Sequence, residues 1–99
     1  MSTDARALVD EFDLDAGWAL NPRVAVRPER FGALLYHFDT RRLSFLKDPR
    51  LLTVLHDLAL RASAREACAA AGIGPLDLPL FARSLRVLST SSMIIRRVA

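Results

Sequence analysis

Apolar and polar positions alternate along the first half of the chain and recur at helical spacing along the second. Arg23-Val24-Ala25-Val26-Arg27 places Val24 and Val26 on one side, the pattern of a half-buried strand. Pro22 and Pro28 bracket it, and proline has no N–H to give a ladder. From Phe31 to Lys47, two aromatic and aliphatic runs flank the polar tetrapeptide Asp39-Thr40-Arg41-Arg42, the layout of a β-hairpin. Pairing Phe38 with Leu43 sets Tyr36 against Phe45 and Leu34 against Lys47. Leu34, Tyr36, Phe38, Leu43 and Phe45 then share one face, and Ala33, Leu35, His37, Ser44 and Leu46 the other. The aromatic face is expected to pack on the rest of the domain, with the mixed face half-covered by the segment around Trp18.

Asp48-Pro49 predicts a helix start: aspartate is a good N-cap, and proline at the first helical position gives up an N–H that has no partner there. Leu51, Val54, Leu55 and Leu58 follow at helical spacing, and the helix should stop near Arg61. Ser63-Ala64-Arg65-Glu66 has the form of a capping box, and this second helix ends at Gly72. After the turn Ile73-Gly74-Pro75, Asp77 is expected to cap a third helix that tolerates Pro79 in its first turn. Leu78, Phe81, Leu85 and Leu88 line one face of it with Ala82 between them, Leu80 and Val87 lie on a neighbouring stripe, and Arg83 and Arg86 are more polar-facing. Glu11 to Leu20 has no clean period. It reads as an arm that lays Phe12, Leu14, Trp18 and Leu20 on the domain. The sharper alternative is a docking segment for a protein partner, with Phe12 and Trp18 as contacts. Three strands in a meander followed by three helices, the last two joined by a glycine turn, predict an α+β, winged helix-turn-helix-like domain at 21–92. An acidic arm at 1–20 precedes it and a tail at 93–99 follows.

Ninety-nine residues, just over half of them apolar, can build one modest core. No apolar run approaches a membrane span, residues 1–6 lack the pattern of a signal peptide, and Cys68 has no partner for an internal disulfide. A cytoplasmic location is the expectation. The net charge of +3 hides an asymmetry: residues 1–20 carry five carboxylates against Arg6, a balance of −4, which leaves +7 for the rest. A basic body suits an acidic partner, although on charge alone a solvated surface is the favoured reading. His37 and His56 have no Cys or His at ligand spacing, Gly72-Ile73-Gly74 lacks the residues of a phosphate loop, and no Ser–His or Cys–His arrangement is visible. An enzyme is therefore the least favoured class, and neither a metal nor a cofactor is expected. A small winged-helix DNA-binding protein ranks second. Its recognition helix would offer only Arg83 and Arg86 to the bases, with Arg41-Arg42 as a phosphate-touching wing.

Peptide capture by strand addition fits better. The edge strand at Val24–Arg27 is blunted by its prolines. The other edge, Arg42-Leu43-Ser44-Phe45-Leu46-Lys47, has no proline or glycine, so its outward N–H and C=O groups are available to an extended peptide. Coverage of this edge by the third helix or the tail is an equal alternative on these residues alone.

Phe31-Gly32-Ala33-Leu34-Leu35-Tyr36-His37-Phe38 and Thr40-Arg41-Arg42-Leu43-Ser44-Phe45-Leu46-Lys47 resemble the mycofactocin biosynthesis chaperone family. Phe12-Asp13-Leu14-Asp15, Trp18-Ala19-Leu20 and Val24-Ala25-Val26-Arg27-Pro28 match the same pattern. That family is similar to the small chaperone of pyrroloquinoline quinone biosynthesis, and both are RiPP recognition elements, which bind the leaders of ribosomally made precursors. The resemblance implies a winged-helix fold. It also implies that the leader adds to the strand Arg42–Lys47 and lies against the helix Leu78–Leu88. On that basis Leu78, Phe81, Ala82 and Leu85 would accept apolar leader side chains, while Lys47, Arg83 and Arg86 would attract an acidic leader. The implied partners are the mycofactocin precursor peptide and a radical SAM maturase, with no nucleic acid and no membrane. Iron–sulfur clusters would belong to the maturase, since this chain has no cysteine set for them.

Overall fold

A computed structural model of the protein describes residues 12–97. In chain order the elements are β1 (Trp18–Leu20), β2 (Val24–Glu29), β3 (Gly32–His37), β4 (Leu43–Leu46), α1 (Pro49–Asp57), a 3-10 turn (Leu58–Leu60), α2 (Ala64–Ala70), α3 (Leu78–Thr90) and β5 (Ile94–Arg96). The described residues are thus α+β, with a three-stranded antiparallel sheet in the order β2-β3-β4 and three α-helices.

The β3–β4 pairing is Tyr36 with Leu43, Leu35 with Ser44, Leu34 with Phe45 and Ala33 with Leu46. This differs from the expected register by an even step, so each residue keeps its face while its partner changes. The loop is wider than the tetrapeptide because Arg41 takes a positive φ of 64° and donates its N–H to the His37 carbonyl. The choice of buried face is the reverse of the expectation. Ala33 and Leu35 are fully buried, Leu46 and His37 nearly so, while Phe38, Leu43 and Phe45 are exposed. The helix α1 explains the choice. It follows β4 directly and brings Leu51, Val54 and Leu55 onto β3. Ala33 leaves room for that approach, where a face of rings would hold the helix off. His37 is accommodated because its Nδ1 lies 3.2 and 3.3 Å from the N–H groups of Asp39 and Thr40, and Asn21 Nδ2 is 3.4 Å from its Nε2.

The segments expected to be an arm and a tail meet in a second sheet, where Trp18 pairs with Arg96, Ala19 with Ile95 and Leu20 with Ile94. Met93 and Ile94 are buried with Phe12, Ala16 and Trp18. The arm also completes α2. The Ala64 and Arg65 N–H groups donate to the carbonyls of Ala16 and Leu14, at 3.1 and 2.9 Å, and Ser63 Oγ accepts from Glu66 N–H at 3.1 Å. Donors that a helix start leaves open are thereby satisfied. Arg65 pairs with Asp15 at 2.6 Å, which holds the Asp15 carboxyl below its ordinary range.

The expected caps hold at Asp48, which accepts from Arg50 N–H at 2.9 Å, and at Ser63. Asp77 is different. It makes no side-chain cap, its carboxylate lies 3.5 Å from Arg50, and the Leu78 N–H donates instead to the Gly74 carbonyl. Arg50 also bonds Asp48 and sits 5.0 Å over the Phe81 ring, so one guanidinium ties the starts of α1 and α3 together.

Two stability predictions follow from these contacts. Gly32 has φ of 155°, and a Cβ there would overlap the Leu46 carbonyl. Gly32→Ala should therefore cost on the order of 2 kcal/mol or more in chemical denaturation. Asp48→Ala should cost about 1 kcal/mol and Asp48→Asn less, since asparagine also caps. The hydrogen bond from Arg50 lowers the folded-state pKa of Asp48. The carboxylate's advantage over asparagine is then present above the unfolded carboxylate pKa and lost as pH falls through the folded one. Melts at neutral pH and in acid should show that gap closing.

Candidate functional site

Backbone direction in the sheet alternates between paired and outward groups. The His37 N–H donates to the Arg42 carbonyl at 3.0 Å, and the Leu46 carbonyl lies against Gly32. Ser44 and Leu46 therefore turn their N–H and C=O groups toward β3, while those of Leu43, Phe45 and Lys47 point away from the sheet. The opposite edge is closed by the same alternation. Phe38 N–H donates to the Arg23 carbonyl at 2.9 Å, so on β2 the outward positions are Val24, Val26 and Pro28. Val24 N–H is taken by the Asn21 carbonyl at 2.9 Å, and Pro28 has none. The strand β2 runs through Pro28 rather than stopping before it, because the missing N–H is one that the ladder does not use. Among the described residues, the outward donors and acceptors of β4 take no partner. Among the described residues, neither α3 nor the C-terminal segment pairs with it; the latter pairs with β1.

Between β4 and α3 lies an open groove of about 450 Å³. Its floor is Leu46, Leu51 and Leu88, all buried. One wall is Ser44, Phe45, Lys47 and Asp48, and the other is Leu80, Ser84 and Val87 on α3. Phe45, Leu80 and Val87 are each about 60% exposed (61%, 58% and 61%), so the groove presents apolar walls to solvent over an apolar floor.

The helix face in this groove differs from the expected one. Phe81 and Leu85 are buried in the core at 3% and 0% exposure. Leu78 is half-buried and packs against the same core, and Ala82 is also half-buried. None of the four lines the groove. Burial of the Phe81–Leu85–Leu88 stripe against the core turns the adjacent stripe, Leu80-Ser84-Val87 at i, i+4 and i+7, toward β4. The available signal was an apolar arc on α3 wider than one core contact uses. Arg83 and Arg86 are exposed but do not line the groove, and Lys47 is its cation. Arg42 is exposed at the mouth of the hairpin loop, Leu43 is 54% exposed, and Ser44 is half-buried. Phe12 and Trp18, the candidate docking contacts, are buried at 8% and 4% with ring centroids 4.9 Å apart, and Trp18 Nε1 donates to the Asp13 carbonyl at 2.8 Å. They are core residues here and present no free surface.

Little reactive chemistry surrounds the groove. Among the described residues no three His, Cys, Asp or Glu side chains gather as a metal site, and no helix is long and apolar enough to cross a membrane. Cys68 is on the buried face of α2, and burial raises its thiol pKa, away from the reactive thiolate.

The peptide chaperone MftB family matches residues 17–95. The chain belongs to that family. It is 51% identical over 92 residues to the peptide chaperone MftB of Mycobacterium tuberculosis, covering 93% of this chain and 84% of that protein. It is 47% identical over 95 residues to the peptide chaperone MftB of Mycobacterium ulcerans, covering 96% and 87%. The corresponding figures for the Mycolicibacterium smegmatis protein of the same name are 48% over 84 residues, covering 85% and 82%. No solved structure matches the chain.

The two stripes of α3 can be told apart by stability. Phe81→Ala and Leu85→Ala should each cost about 2–5 kcal/mol in denaturant unfolding. Leu80→Ala and Val87→Ala should stay within about 0.5 kcal/mol of the parent.

Proposed function

We propose that this protein is a peptide chaperone of mycofactocin biosynthesis, a winged-helix-like RiPP recognition element that captures the precursor's leader as a strand added to β4. The reading rests on one observation: the outward N–H and C=O groups of Leu43, Phe45 and Lys47 border an open apolar groove against α3. Membership of the peptide chaperone MftB family supports it. An extended peptide on this edge gains main-chain hydrogen bonds for affinity, and alternate side chains enter the groove for selectivity. Leu46, Leu51, Leu80, Val87 and Leu88 offer those side chains an apolar lining, and Lys47 favours carboxylates nearby. The chain then holds the leader while a radical SAM maturase works on the rest of the precursor. No catalytic step is assigned to this chain.

The proline test separates backbone from side chain. Phe45→Pro removes an outward N–H and leaves the β3 ladder intact, whereas Ser44→Pro removes a ladder bond and should destabilise the fold. Isothermal titration with the precursor leader should show Phe45→Pro binding at least about tenfold more weakly than Phe45→Ala, the loss expected when a buried peptide carbonyl is left unpaired. Equal affinities for the two variants would reject strand addition. In a titration of isotope-labelled protein, amide shifts should concentrate at Leu43–Lys47 and at Leu80, Ser84 and Val87.

A further inference from the structure

The inverted sheet leaves a second apolar surface that the groove does not account for. On the outer face of β2-β3-β4, Phe38 and Leu43 are 46% and 54% exposed, and Leu34 and Tyr36 are half-buried beside them. The Tyr36 and Phe38 rings stack edge to face at 5.8 Å. An apolar face of this kind with a charged border is characteristic of protein contact surfaces.

The border selects the occupant. Between residues 23 and 47 the chain carries six cations (Arg23, Arg27, Arg30, Arg41, Arg42, Lys47) and two carboxylates (Glu29, Asp39), a balance of +4. Arg23 is spent on Asp39 and Arg27 on Glu29, and none of the ion pairs among the described residues involves Arg41, Arg42 or Lys47. A second copy of the chain would bring one cationic border against another, which opposes association. Single-stranded nucleic acid would suit the cations. However, the face intersperses Leu34 and Leu43 with its rings, and aliphatic side chains give bases no platform to stack on. A folded protein with an apolar patch bordered by carboxylates complements both features.

The face is also continuous with the groove. Phe45 and Lys47 line the groove, and with Phe31 they line a further hollow of about 460 Å³. A strand added to β4 would display every second side chain on this same face. We propose that the outer sheet face is the docking surface for the maturase, held through a carboxylate-bordered apolar patch that contacts both the sheet and the outward side chains of the added leader. This rests on the leader-capture reading above. Because one body touches chaperone and peptide together, each should tighten the other's binding.

The test uses the full chain, the purified maturase and the precursor, with affinities measured by titration calorimetry. Tyr36→Ser and Phe38→Ser lie away from the β4 edge. Each should weaken maturase binding by about tenfold or more while precursor affinity and the amide spectrum stay unchanged. Arg41→Glu, which lies outside the groove lining, leaves every apolar side chain in place and should weaken maturase binding in the same direction, so it decides the matter if a serine variant loses its fold. Precursor should raise the affinity of the parent chain for the maturase. Retained precursor binding with maturase affinity unchanged in Phe38→Ser and Arg41→Glu would remove this docking surface and leave leader capture standing. Failure of the parent chain to bind precursor would remove both. A dimer in sedimentation that Phe38→Ser dissociates would reassign the face to self-association, and oligonucleotide binding lost in the same variant would reassign it to nucleic acid.

Discussion

Among the described residues, the central strand Gly32–His37 has two apolar faces and one helix packed closely on it. That constraint shapes the rest of the molecule. α1 is tethered to β4 by Asp48-Pro49 and can press on only one side of the sheet. The side it takes carries Ala33 and Leu35, which are small or aliphatic enough to let a helix approach closely. The rings of Tyr36 and Phe38 are left outside, where Phe38 gains partial cover from the Arg23 guanidinium at 5.7 Å. Among the described residues no second layer covers the other face, so the exposed aromatic surface is a consequence of the core's geometry.

The same core depends on both ends of the described chain. α2 is seven residues long and offers its first N–H groups to carbonyls of the Phe12–Gly17 segment. That segment is held in turn by β5, by the Arg97 N–H on the Gly17 carbonyl at 2.9 Å, and by Asn21, whose side chain reaches Ser92 at 2.9 Å. At the surface, Asp15 of this segment pairs with Arg65.

The sequence made legible whatever depends on short-range chemistry. The helix starts at Asp48-Pro49 and Ser63, the glycine end of α2 and the meander of β2, β3 and β4 all follow from local donors, acceptors and backbone limits. The contrast between the two sheet edges was legible as well, because proline's missing N–H is a property of one residue. The buried face of the hairpin was not. Alternation says that two faces exist, and apolar area favours the aromatic one, but the decision rests on steric room for α1, a contact between distant residues. The groove stripe of α3 failed to show for a related reason. Leu80 and Val87 stand out as a second stripe, yet which stripe meets the core depends on where β4 and α1 lie. The pairing of β1 with β5 joins three-residue strands far apart in sequence, and neither is long enough to announce itself by period.

The alternation within β4 connects these observations to function. Ser44 and Leu46 belong to the domain, with their backbone groups on β3 and the Leu46 side chain in the core. Leu43, Phe45 and Lys47 belong to the outside in both respects, with free backbone groups along the edge and side chains on the outer face. One strand thus offers two different chemistries at the same positions: a directional, sequence-independent ladder along the edge and an apolar, cation-bordered surface at right angles to it. A ligand that used only the ladder would be held with little selectivity, because every peptide has the same backbone. On the proposed reading, selectivity comes from side chains on either side of the added strand, half of them meeting Leu80, Ser84 and Val87 and half lying beside Phe45 on the outer face. The largely apolar groove would then discriminate chiefly by shape and apolar fit. Charge discrimination would fall to Lys47 and the arginines of the hairpin. On the proposed reading, the leader's affinity is therefore set at the groove, and what happens to the loaded complex is set on the opposite face of the same four-residue strand.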